Sequence, residues 1–270
     1  MNDADCVQFL QWALPKLGLR WAGFRRVRRQ VCRRIDARCR GLGLDGVRAY
    51  RDYLADRPAE WRELDHLCRV TISRFGRDRG IWSSLVDEIL PALAAAAQAR
   101  GSLSAWSAGC GAGEEPYSLA IAWHFAVAPR WPRLALDVVA TDVDDNQLAR
   151  AARACYPRGA LRELPDPWRD AAFEPGPGVD CLRAPFRAPV RFERHDVRTP
   201  PPPGGPFDLV LCRNLAFTYL AEPAQRAAAA SFRSVLRDHG VLVVGVHERL
   251  PDGAPRFSPR ARSVYEAVGP

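Results

Sequence analysis

Lysine is almost missing from this chain: Lys16 is the only one, and arginine supplies every other fixed cation. No apolar run approaches the roughly 18 residues that a membrane-spanning helix needs, so no membrane insertion is expected. The N-terminal MNDADCVQFLQWALPKLG has two aspartates ahead of a short apolar stretch, and neither a basic n-region nor a small-residue cleavage site. It does not read as a signal peptide, and the cytoplasm is the expected compartment. The eight cysteines (Cys6, Cys32, Cys39, Cys68, Cys110, Cys155, Cys181 and Cys212) form no CxxC and no Cys/His cluster. That scatter argues against a disulfide framework and against a structural zinc site, so free thiols and no metal are expected.

What is present suits a folded protein. Hydrophobic residues make up 47% and charged residues 26% of the 270 positions, and that length allows one large domain or two modest ones. The balance of 39 basic and 31 acidic residues leaves a net charge of +8. Composition does not explain clustering: Arg25, Arg26, Arg28, Arg29, Arg33, Arg34, Arg38 and Arg40 crowd one short segment. Apolar or small residues Phe24, Val27, Val31, Ile35 and Cys39 recur there at spacings of three and four, which predicts an amphipathic basic helix ended by Gly41 and Gly43. An acidic partner is its expected ligand.

Residues 1–95 read as helices alone, with breaks near Pro58 and a kink or boundary at Pro91. From 96–270 the pattern changes. The apolar runs LSAWSAG, LALDVVATD, VRFERHDV, FDLVLCRN and GVLVVGVHE alternate with helical stretches, the signature of a doubly wound α/β sheet with helices on both faces. Residues 157–190 interrupt the rhythm with proline, glycine and charge, and read as a small insertion.

In such a sheet the ligand sits at the carboxyl ends of the strands, so the first strand-to-helix turn carries the chemistry. Here it is SAGCGAGEEPYS. Ala108 closes the strand, and Gly109, Gly111 and Gly113 permit a tight turn and close approach of backbone to ligand. A dinucleotide fingerprint needs another glycine at position 114, where Glu114 and Glu115 stand instead. Two carboxylates at a helix N-terminus repel a pyrophosphate and suit a ligand bearing an amine. The second strand ends in Asp142, followed by Val143 and Asp144, and a carboxylate there bonds ribose hydroxyls. Glycine turn, ribose acid and no phosphate site together describe a positively charged nucleoside without phosphates, which S-adenosylmethionine fits.

These residues also resemble a known family. SAGCGAGEEPYSLA, ATDVD, FDLVLCRN and the preceding TISRFGRDRGIW are similar to the CheR-type chemoreceptor glutamate O-methyltransferases over about residues 20–268. The resemblance implies a helical N-terminal domain that meets the receptor, a Rossmann-like class I methyltransferase domain using S-adenosyl-L-methionine, with S-adenosyl-L-homocysteine as product, and a small antiparallel subdomain near 157–190. By position it implies that Ser73 and Arg77 border the methionine end of the cofactor, and that Glu115 or Glu114 lies near its amino group. It likewise implies Asp142 for the ribose, Asp196 and Val197 for the adenine, and Cys212, Arg213 and Asn214 along the methyl-transfer site. Arg77 and Arg213 are the candidates to steer a carboxylate acceptor with a guanidinium fork.

Three departures touch the acceptor side. The family has Phe-Phe-Arg where this chain has Phe75, Gly76 and Arg77, and Tyr where it has Thr218, with Tyr219 next. Its terminal Gly-His-Ser-Glu stands here as Gly245, Val246, His247 and Glu248. A helix turns about 100° per residue, so Tyr219 does not replace the family's Tyr, and Thr218 is expected to border the transfer site. The expected activity is O-methylation of a protein glutamate, with a chemoreceptor cytoplasmic region as acidic partner of the Arg25–Arg40 helix. A small-molecule acceptor and a non-catalytic binding module are the alternatives; an amine or phenol acceptor would need a base, with His195 and His247 as candidates. Nucleic acid is not the expected partner, because the glutamate pair opposes it and the helical region lacks base-stacking aromatic motifs.

Overall fold

The computed structural model describes residues 2–71, 73–254 and 256–269. They divide into two compact units. One runs up to Thr71 and includes Thr218–Gln225; the other holds the rest. The division lies before the long helical run that the sequence reading grouped with the N-terminal helices, because that run buries its apolar side in the core of the second unit.

The first unit is helical: Asp3–Ala13, Trp21–Phe24, Arg28–Gly41, Gly46–Leu54 and Pro58–Leu67. Asn2 caps the first helix by accepting from the Asp5 N–H at 2.7 Å. Phe9, Leu10, Val31, Ile35, Tyr50, Leu54 and Leu64 are buried. The basic helix begins at Arg28, not at Arg25, since residues 25–27 form a turn. More than half of the arginine cluster is already engaged, Arg33 through its Nε, which donates to the Arg29 carbonyl at 3.3 Å. Arg38 grips Glu60 through two hydrogen bonds at 2.9 and 2.7 Å, Arg28 pairs with Asp3, Arg40 with Asp36, and Arg34 donates to the Leu67 carbonyl. Glu60 is buried and also accepts from the Tyr50 hydroxyl at 2.7 Å. The Arg38 guanidinium holds its carboxyl below the usual range, burial opposing. The segment after 217 is stitched in by backbone bonds from Arg20 N to the Tyr219 carbonyl (2.9 Å) and from Ala221 N to the Gly18 carbonyl (2.8 Å). A Cβ on Gly23 would stand 2.2 Å from the Thr218 carbonyl oxygen, so only glycine permits this approach.

Free thiols were expected throughout, and the structure corrects this. Cys6–Cys32 ties the first helix to the third, and Cys155–Cys181 bridges two strands of a small sheet. Spacing along the chain could not show these pairs, because each joins residues 26 positions apart that only tertiary packing brings together. Cys39, Cys68, Cys110 and Cys212 are free and buried.

The second unit is built on strands β1 (Ser102–Ala108), β2 (Ala135–Asp142), β3 (Cys155–Tyr156), β4 (Phe173–Pro175), β5 (Asp180–Leu182), β6 (Val190–Arg194), β7 (Phe207–Cys212), β8 (Leu236–Val244), β9 (Phe257–Ala261) and β10 (Val264–Ala267). The main sheet has the order β6-β2-β1-β7-β8-β10-β9; its first five strands are parallel, and β10 and β9 close it antiparallel. Order reverses between β1 and β7, so the ligand crevice of a doubly wound sheet falls at their carboxyl ends. Every residue of β7 is buried, as expected when both faces are covered. Strands β3, β5 and β4 form a separate antiparallel sheet whose Tyr156, Phe173 and Leu182 pack with Phe75 and Phe186.

The run Arg79–Arg100 is, among the described residues, the one helix long and apolar enough by length and composition to cross a membrane. Its Ile81, Leu85, Ile89, Leu90, Leu93 and Ala97 are buried against Leu103, Ala105, Val138 and Leu209 of the sheet. Pro91, which has no N–H to donate, follows a π turn at Leu85–Ile89.

Candidate active site

At the carboxyl end of β1 the chain turns through residues 109–113 into the helix Glu114–Ala122. Gly109, Gly111 and Gly113 have φ of 75°, 56° and 90°, the left-handed region where a side chain is strained. The Gly109 and Cys110 N–H groups donate to the Thr141 carbonyl at 2.8 and 2.9 Å and fasten the turn to β2. A Cβ on Gly109 would strike Leu215 at 2.2 Å, whereas one on Gly111 would meet nothing within 4 Å. The middle of the turn therefore faces open space on the side where a Cβ would stand.

Asp142 and Asp144 separate into two tasks. Asp144 caps the next helix, Asp145–Arg153, by accepting from Asn146 N at 2.9 Å. Asp142 accepts from Gly111 N at 2.8 Å and Asp144 N at 2.9 Å, which sets its carboxylate beside the glycine turn. Burial raises its pKa and the backbone donors oppose the shift. Val143 lies between them.

The glutamate pair also splits. Glu115 accepts from the Ser107 hydroxyl at 2.8 Å and from Arg213 at 3.3 Å, so its oxygens are spent inside the fold. Glu114 is buried, takes a hydrogen bond from Ser73, and keeps its Oε2 buried without a partner. Burial raises the carboxyl pKa of both. An orphaned buried carboxylate oxygen next to an open glycine turn is an acceptor waiting for a donor.

Arg213 is enclosed, its side chain 3% exposed. It donates to Asp78 at 2.7 Å, to the Arg77 carbonyl at 2.6 Å and to Glu115. Trp82 lies under the guanidinium with its ring centre 5.9 Å away. Its donors thus hold the site together. Cys212 ends β7 fully buried, and burial pushes its thiol well above the ordinary value. Asn214 follows with φ of 57°, its N–H donating to Glu248 at 2.6 Å.

Asp196, after β6 and next to Val197, forms an ion pair with Arg198 at 2.7 Å. His195 places Nε2 at 2.7 Å from the Pro200 carbonyl. Thr218 and Tyr219 belong to the helical unit: Arg20 Nε donates to the Thr218 carbonyl at 3.0 Å, and the Tyr219 ring packs 5.0 Å from Phe24. Asp78, Ser107 and Glu248 were missed from the sequence. Asp78 stands directly after Arg77 in the motif, so its place was visible although its partner was not. Among the described residues no group of three or more His, Cys, Asp or Glu could hold a metal ion.

A family model described as CheR methyltransferase, SAM binding domain, matches residues 71–265. A chemotaxis protein methyltransferase of Listeria monocytogenes is 36% identical over 189 residues, which cover 70% of this chain and 69% of that one. The chain belongs to the CheR methyltransferase family. A probable chemotaxis protein methyltransferase of Rhizobium etli is 29% identical with 88% of each chain covered, and that of Salmonella typhimurium is 28% identical with 98% of this chain and 90% of the other covered. This CheR protein is thus a methyltransferase that uses S-adenosylmethionine, built on a Rossmann-like doubly wound sheet. Its residues fit that cofactor on two observations: the open space where a Cβ on Gly111 would stand and the unpartnered Glu114 oxygen.

Proposed function

We propose that this CheR protein O-methylates a glutamate side chain on an acidic protein, a chemoreceptor cytoplasmic region, and that it works in the cytoplasm. Bound S-adenosylmethionine supplies a methyl group on a sulfonium, which needs only an aligned nucleophile. A glutamate is already ionised at neutral pH, so no side chain here has to remove a proton. The observation that carries the reading is the Glu114 oxygen, buried and unpartnered on the residue directly after the glycine turn, because it asks for the ammonium of the methionine tail.

The residues then divide the work. Glu114 takes the ammonium and Ser73 orients Glu114; Asp142 takes the ribose hydroxyls, and Ala108, Gly109, Gly111, Gly113 and Val143 give close backbone walls. Asp196 and Val197 border the adenine, with Arg198 restraining the Asp196 carboxylate. Glu115 and Arg213 brace the floor, Cys212 supplies a neutral wall that excludes water, and Arg77 and Asn214 serve the acceptor. The helical unit contributes the acidic-partner surface through Arg25, Arg26, Arg29 and Arg33, which form no ion pair described above.

A small-molecule acceptor is the second reading. It is favoured by a cavity of about 410 Å³ beside Gly76, lined by Trp82, Val86, Ala122, Leu164 and Trp168, a size ordinary for small ligands. The test is transfer of labelled methyl from S-adenosylmethionine to a chemoreceptor cytoplasmic fragment and to the same fragment with its glutamates changed to glutamine. Label on the first alone supports the proposal. No label on the first would contradict it.

A further inference from the structure

The ends of β7 and β8 are held by one carboxylate. Oε2 of Glu248 accepts from Asn214 N at 2.6 Å and from Gly245 N at 2.7 Å, and Glu248 is 4% exposed. Gly245 follows the last residue of β8 and turns back at once, its carbonyl accepting from Glu248 N at 2.9 Å and from the Ser263 hydroxyl at 3.0 Å. A Cβ on Gly245 would come within 2.8 Å of Asn214 Oδ1 and 2.9 Å of Glu248 Oε2. Only glycine leaves the space that the Asn214 amide and the Glu248 carboxylate share.

We infer that Glu248 is a positioning residue that holds Asn214 in its left-handed backbone conformation and thereby aims the segment 212–214 for methyl transfer. The inference rests on the reading of Asn214 as a residue of the acceptor side. A left-handed backbone is uncommon outside glycine, and although asparagine tolerates it better than most residues, its neighbours decide whether it is held there. Two N–H groups on one ionised oxygen hold it, because charge-assisted bonds in a buried site are short and strong. Arg213 directly precedes Asn214 in the chain, so the same clasp restrains the backbone that carries the guanidinium binding Glu115, Asp78 and the Arg77 carbonyl. In this role Glu248 acts through its neighbours Asn214 and Gly245.

The experiment compares Glu248→Gln and Glu248→Ala in the full chain by three readouts. They are the amide proton shifts of Asn214 and Gly245, calorimetric affinity for S-adenosylhomocysteine, and kcat and KM with an acceptor that wild type methylates. Glu248→Gln keeps an oxygen in place and loses the charge. It is expected to move both amide protons upfield and to lower kcat about tenfold, the value of one hydrogen bond, with cofactor affinity within about twofold. Glu248→Ala is expected to lose about a hundredfold in kcat, so that glutamine counts as partial rescue. If the alanine variant does not fold, the glutamine variant carries the test.

Unmoved amide protons in Glu248→Gln, a rate within about twofold of wild type, or an affinity loss as large as the rate loss would each overturn the inference. If wild type methylates no acceptor, the proposed function fails separately. The amide shifts and the cofactor affinity of Glu248→Gln then still decide whether the clasp exists.

Discussion

Replacing Arg213 by methionine tests the buried charge cluster beneath the site. Methionine keeps the bulk and deletes the donors to Asp78, the Arg77 carbonyl and Glu115. Removing one partner of a buried pair typically costs 3–5 kcal/mol when the other charge is stranded. Glu115 has an escape, since it can take a proton. For a carboxyl of ordinary pKa 4.5, protonation at pH 7 costs about 3.4 kcal/mol, which caps that part of the penalty. Asp78 has a partly exposed side chain and regains water, and the lost bond to the Arg77 carbonyl adds about 1 kcal/mol. The expected loss at pH 7 is therefore about 3 to 4 kcal/mol.

The pH dependence gives the sharper check. Burial raises the Glu115 pKa, and loss of Arg213 raises it further. A carboxyl raised on folding contributes most stability below its unfolded value and loses it as pH climbs through the folded value. The deficit of Arg213→Met relative to wild type should accordingly be smallest near pH 5, about half its neutral value, and grow toward pH 8. Chemical denaturation at both pH values measures it, and adding Glu115→Gln should recover about 2 kcal/mol at pH 8. A deficit below about 1 kcal/mol, or one equal at the two pH values, would refute the reasoning.

Asp142→Ala should weaken binding of S-adenosylhomocysteine by about 1.5 to 3 kcal/mol, the cost of a hydrogen bond to a charged group, in calorimetric titration. Glu114→Gln should weaken it comparably and also flatten its pH dependence: the raised Glu114 carboxyl must lose its proton to receive an ammonium, so wild-type affinity should rise as pH passes above the ordinary glutamate range, with proton release detectable in buffers of different ionisation enthalpy. Reversing Arg29 and Arg33 to glutamate should slow methylation of a protein acceptor at low salt and leave cofactor affinity unchanged, and an unaltered rate would remove the helical unit from acceptor recognition. Tyr219→Phe should change turnover little, because the ring packs on Phe24, whereas Thr218→Tyr should alter acceptor use; loss of turnover from Tyr219→Phe alone would show that the register argued for this segment is wrong.

The catalytic half was readable because its signals are local. Strand-turn-helix at 102–122, the glycines that need positive φ, and an acid at the end of β2 all follow from neighbours in sequence. The hairpin β9–β10 was not seen, since FSPRA and VYEA are short, polar and without clean alternation. The arginine cluster read as one uninterrupted face, yet Asp3, Asp36 and Glu60, the first and last outside the helix, neutralise part of it. Periodicity cannot show which charges a distant helix will meet. The two glutamates of SAGCGAGEEPYS illustrate the same limit: adjacent in sequence, they differ because Ser107 and Arg213 reach one oxygen pair and leave an oxygen of the other without a partner.

The most direct measurement of the central claim is the alkali lability of the methylated product. After incubation with methyl-labelled S-adenosylmethionine and a chemoreceptor cytoplasmic fragment, the labelled protein is treated with mild base and the volatile fraction is counted. A glutamyl methyl ester releases its label as methanol, and that is the result expected. Label that stays on the protein through base treatment would mark a nitrogen or other stable linkage and contradict carboxyl methylation.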